Sequence, residues 1–180
     1  MEQTVELNPH IACESSQFMD MKTIVYRGGV LRFRIPEAWI EEYSDYDGGT
    51  FYEDGLNTGT LRVKIISLAK PSDSRQASLA GLLKLLLQQT GKSEGDVEYA
   101  GDNALLRYEE PAVEAGTKLT IFYWVFANPV DSLHARVVTF SYTVLATHRD
   151  TPHIQHELNM LDSEIVKTEF AREIGVTAAE

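Results

Sequence analysis

From Lys22 onward the chain alternates apolar and polar residues in short runs, the period-two pattern of half-buried strands. Residues 23–27 are the first such run. Gly28-Gly29 follows as a hairpin turn. In residues 30–35, Leu31, Phe33 and Ile35 point one way and Arg32 and Arg34 the other. Pro36 has no N–H to donate and ends the strand, and Trp39 is expected to fold back over the core. Residues 40–43 and 50–53 predict a second hairpin around Asp45-Tyr46-Asp47-Gly48-Gly49. Residues 60–68 alternate again, with Leu61, Val63 and Ile65 against Arg62 and Lys64.

The period then changes. In residues 75–90, Leu79, Leu82, Leu83 and Leu86 recur at the helical spacing of a buried stripe, and Gly91 marks the stop. Leu85 and Leu87 widen the stripe beyond what one sheet face covers, which predicts a homodimer seam through them if exposed. Residues 96–100 and 104–109 predict a further hairpin around Gly101-Asp102.

Residues 118–127 are apolar in both phases: Leu119, Ile121, Tyr123 and Val125 on one side, Phe122, Trp124 and Phe126 on the other. A strand apolar on both faces is covered on both faces, so this one is expected near the sheet's centre. Residues 133–145 pair antiparallel with it. Asp150 or Thr151 can cap the last helix, with Pro152 at its first position and Ile154, Leu158, Leu161 and Ile165 as its buried stripe. The expectation is one α+β domain over residues 22–171: a single twisted, mostly antiparallel sheet and two main helices, layered α/β/α. Residues 1–21 read as a loose arm and residues 172–180 as a frayed tail.

Composition narrows the function. The 180 residues carry a net charge of −11, which disfavours nucleic acid and anionic membranes as partners. A single cysteine, Cys13, permits no internal disulfide. Met1-Glu2-Gln3-Thr4-Val5-Glu6 lacks the basic and apolar regions of a secretory signal, and no window has 18 apolar residues. The expected compartment is the cytoplasm.

Leu31-Arg32-Phe33-Arg34-Ile35-Pro36-Glu37-Ala38-Trp39 resembles the opening strand and turn of the PsbP-like superfamily. That superfamily includes Ran-binding Mog proteins, DcrB-like bacterial proteins and Eag-type adaptor chaperones. The order of elements is similar over about residues 23–170. The segment from Gly48-Gly49-Thr50-Phe51-Tyr52-Glu53-Asp54 to Gly59-Thr60-Leu61-Arg62-Val63 is also similar to an uncharacterised bacterial family. The resemblance implies a fold, and a protein that binds other proteins rather than an enzyme. It transfers no catalytic residue. Many DcrB-like and PsbP-like members are exported, and those roles need a signal that Met1–Glu6 does not supply.

Candidate chemistry is sparse. His153, His156 and Glu157 share a helix face, with His148 upstream, but the spacing matches neither zincin pattern, and a solvated helix start is the simpler reading. Asp45, Asp47, Glu53 and Asp54 gather acids near two turns without the ligand spacing of a calcium loop. No Gly-x-Ser-x-Gly elbow occurs and no glycine run precedes a helix as a phosphate cradle. The expectation is therefore no metal, no cofactor and no catalytic residue.

Two features point to binding. Seven of the sixteen basic residues, Arg32, Arg34, Arg62, Lys64, Arg107, Lys118 and Arg136, fall within strands. Arg32, Arg34, Arg62 and Lys64 occupy the polar phase of two strands and could make one basic face, unless cross-strand carboxylates pair with them. Trp39, Tyr43, Tyr46, Phe51 and Tyr52 cluster around the second hairpin as binding anchors or as core. The leading expectation is a non-enzymatic adaptor, immunity protein or chaperone with a protein partner. The alternative is a small-molecule binder or enzyme with a pocket between the sheet and the early hairpins.

Overall fold

A computed structural model describes residues 20–44, 48–69, 79–92, 96–131 and 133–172. Strands β1 (Met21–Tyr26) and β2 (Leu31–Pro36) form the first hairpin, and β3 (Ile40–Ser44) and β4 (Gly48–Tyr52) the second. Then come β5 (Thr60–Ala69), α1 (Leu79–Thr90), β6 (Val97–Ala100) and β7 (Asn103–Glu114). The long strands β8 (Thr117–Pro129) and β9 (His134–Leu145) precede α2 (Pro152–Ile165) and the short β10 (Glu169–Phe170).

The class is α+β, and among the described residues all pairing is antiparallel. Among them the expected single sheet is corrected to two. A seven-stranded sheet runs β3-β4-β5-β9-β8-β7-β6, and a three-stranded sheet runs β1-β2-β10. Alternation along β2 reports which of its faces is buried, not which strands it pairs with. The turn at Arg27, Gly28 and Gly29, all at positive φ, folds β1 back on β2 rather than onto the larger sheet.

The hydrophobic phases do the layering. Leu61, Val63, Trp124, Phe126, Val138, Phe140 and Tyr142 face inward from the large sheet. The small sheet meets them with Leu31, Phe33 and Ile35, and α2 with Ile154, Leu161 and Ile165. Phe33 stands edge-on to both Phe51 and Phe140, at centroid distances of 5.4 and 5.1 Å. On the opposite face Leu82 and Leu86 of α1 pack on Ala104, Leu106, Val125, Ala127, Ala135 and Val137. The two phases of β8 thus fill different layers, which is why the strand is apolar in both and lies near the centre. Helices lie on opposite faces of the large sheet, as the layering expectation required.

Local details differ from the simplest reading. Thr151 precedes α2 in an extended conformation with Pro152 next, but its side chain does not cap the helix. Its hydroxyl donates to the His148 carbonyl at 2.9 Å instead. Arg136 stands in the inward phase of β9 and is 1% exposed. Its guanidinium donates to the Ala171 carbonyl at 2.7 Å, tying the large sheet to the chain just after β10.

Candidate functional site

Two regions bring functional groups together. The first is a cleft of about 450 Å³ between the β2–β3 turn and the first turns of α2. Its lining includes Trp39 from the turn, Glu53 from the end of β4, and His153 and Glu157 from α2. The turn is held by the Trp39 amide, which donates to the Pro36 carbonyl at 3.1 Å, and by the Lys22 ammonium, which donates to the Trp39 carbonyl at 2.6 Å. Trp39 stacks on Tyr142 of β9 with rings 8° from parallel and centroids 6.3 Å apart. The Tyr142 hydroxyl donates to Glu157 Oε2.

Glu157 faces the core, not water, and is 2% exposed. Burial pushes its carboxyl above the usual range, and the Tyr142 hydrogen bond and nearby His153 partly oppose that. Burial, reinforced by the hydrogen bond to Glu157, holds the Tyr142 hydroxyl far above the ordinary phenol value. His153 Nε2 lies 3.5 Å from a Glu53 carboxylate oxygen and 3.7 Å from Glu157 Oε2. Sequence spacing placed Glu53 in one acidic turn cluster and His153 and Glu157 in another group; the fold joins them. His156 is exposed and stands apart from this set.

The second region is the outer face of the large sheet beyond α1. The β5 and β9 registers put Arg62 beside Ser141 and Lys64 beside Thr139, and the β4 register puts Thr50 beside Arg62. Arg62 and Lys64 are exposed, and among the described residues neither forms an ion pair. Ile40 (37% exposed) and Ile66 (47% exposed) flank them in the same phase, with Tyr52.

The expected single basic face is corrected. Arg32 and Arg34 point away from the core on the small sheet, and Arg62 and Lys64 point away on the large one. The two sheets face each other through Phe33, Phe51 and Phe140, so the pairs lie on opposite surfaces. Arg34 also reaches Glu164 at 3.5 Å. Arg107 is occupied by Glu98 at 2.5 Å and Asp162 at 3.0 Å.

The aromatic cluster is divided too. Trp39 and Phe51 belong to the core. Tyr43 is 58% exposed, stacks at 6.2 Å on Tyr26 and donates to Glu41 at 2.5 Å. Tyr52 lies on the outer face and donates to Glu42 at 2.8 Å. Tyr46, Asp45 and Asp47 lie outside the described residues, as do residues 1–19, 173–180 and the Leu85 side chain. Leu87 is half-buried against the α1 cluster.

No family model matches the chain, and no curated protein does. Solved structures do. LpqN of Mycobacterium tuberculosis, involved in cell envelope biogenesis, matches 84% of this chain and 91% of its own, at 14% identity and a TM-score of 0.57. The fold is similar to that of LpqN. A Bacteroides thetaiotaomicron protein matches 86% of this chain at 17% identity and a TM-score of 0.53. This chain spans 50% of that protein's length. The Ran-binding protein Mog1p of Saccharomyces cerevisiae matches 84% of this chain and 96% of its own, at 13% identity and a TM-score of 0.49. The α+β fold implied by the resemblance of residues 31–39 is the one found.

Proposed function

We propose that the chain is a non-catalytic protein-binding module that takes an acidic segment of its partner on the outer face of β4, β5 and β9. The observation that carries this reading is the Arg62–Lys64 pair. Two exposed cations sit two positions apart on one strand, without ion pairs among the described residues, in a protein of net charge −11. On such a background a free cationic patch steers an acidic partner to one face and repels cationic ones. Ile40, Tyr52 and Ile66 around it supply apolar and aromatic contact of the kind interfaces favour. The resemblance to a superfamily of protein binders supports the same reading, of adaptor, immunity or chaperone type.

A photo-reactive amino acid at Thr139, in the native host, tests it. The reading expects one discrete cross-linked adduct from that position. The same probe at Val25, on the small sheet's outer surface, should give none. Equal adducts from both positions, or adducts from Val25 alone, would contradict it.

A second reading, a small-molecule site by the early hairpins, is supported by the cleft that Trp39 and Glu53 line together with His153 and Glu157 of α2.

A further inference from the structure

The donor atoms of Glu53, His153 and Glu157 all lie within 4.8 Å of one another. In a tetrahedral zinc site with bonds of ~2.1 Å, neighbouring ligand atoms stand ~3.4 Å apart. The 3.5 and 3.7 Å separations from His153 Nε2 are close to that edge length. We propose that these three residues bind one divalent transition-metal ion, with zinc the best-matched ion, and that its remaining coordination position opens into the cleft beside Trp39.

Three observations support the assignment independently of protein binding on the opposite face of the sheet. The first is the donor set. One imidazole nitrogen with two carboxylates suits a zinc-type ion, whereas calcium and magnesium take all-oxygen shells. The second is the state of Glu157. A buried carboxylate is costly unless a cation compensates it. Among the described residues no Lys or Arg pairs with either Glu157 or Glu53, so two carboxylates converge with only His153 between them. A divalent ion supplies the missing positive charge. The third is orientation. The Tyr142 hydroxyl donates to Glu157 Oε2, the same oxygen that lies 3.7 Å from His153 Nε2. An outer hydrogen bond thus orients the carboxylate towards His153, as is common for metal-binding carboxylates. His153 and Glu157 reach the same point because residues four apart share one helix face.

Zinc titration of the full chain by calorimetry, after treatment with a chelator, tests the proposal. One zinc per chain is expected, with micromolar or tighter affinity. His153→Ala should weaken binding at least ten-fold, and His153 is exposed enough for the variant to fold. His156→Ala, one turn along the same helix, should leave the affinity unchanged. X-ray absorption of the zinc-loaded protein should show nitrogen and oxygen ligands and no sulfur. Absence of binding, equal binding by His153→Ala, or a sulfur ligand from Cys13 would each overturn the assignment.

Discussion

The Tyr142 hydroxyl donates a hydrogen bond to the Glu157 carboxylate, joining the central strand β9 to α2 inside the core. Neither group has water as an alternative partner of any consequence, since Tyr142 is 0% and Glu157 2% exposed. An unsatisfied buried group costs more than a satisfied pair contributes, so the two residues should be strongly coupled.

Tyr142→Phe is expected to lower stability by about 1–3 kcal/mol, because it removes the donor and leaves the buried carboxylate. The double variant Tyr142→Phe with Glu157→Leu should recover most of that loss. Urea unfolding of both singles and the double measures the coupling. Simple additivity of the two losses would show that the pair is not a unit.

Gly59 makes the same point sterically. A Cβ at this position would lie 2.0 Å from the Tyr142 ring. Gly59→Ala must therefore displace a ring clamped by Trp39 and Glu157. The expected cost is about 2–3 kcal/mol, or roughly 5–10 °C in melting temperature for a domain of this size. An unchanged melting temperature in calorimetry would mean that the ring is free to move.

High pH should act through a different pair. Tyr108 and Tyr123 stack at 4.7 Å beside α1, and burial pushes the Tyr108 hydroxyl from 10.0 up to about 12. Below the ordinary value both folded and unfolded states keep the proton, so that contribution to stability is intact. Between 10.0 and about 12 only the unfolded chain releases it, and stability falls. Tyr108→Phe should flatten this alkaline loss. Chemical unfolding at stepped pH measures it, and equal slopes for the two proteins would exclude Tyr108 as the source.

Periodicity made much of this architecture readable. Alternation located β2 and β5 with their faces, and the double-phase apolar run of β8 announced a strand covered on both sides. Helical spacing located α2 with Ile154, Leu161 and Ile165 inward. Partner choice was not readable, because a strand's pattern does not say which edge it joins. For that reason alternation alone allows Arg32 and Arg34 to share a face with Arg62 and Lys64. The cleft was hidden for a related reason. Glu53 and His153 are far apart in sequence, and only the packing of α2 across the sheet brings them within 3.5 Å. Two signals were available. Arg136 stands in the phase of Val138, Phe140 and Tyr142, which marks it as inward-facing. Glu157 lies three residues after Ile154 and four before Leu161, within the buried stripe.

The most direct measurement compares charge reversals on the two surfaces. Full-length protein carrying Arg62→Glu and Lys64→Glu should lose its partner in affinity capture from the native host. Protein carrying Arg32→Glu and Arg34→Glu should retain it, and binding by the unaltered chain should weaken as salt rises. Capture that survives reversal of Arg62 and Lys64, or fails on reversal of Arg32 and Arg34 alone, would contradict a binding face on β4, β5 and β9.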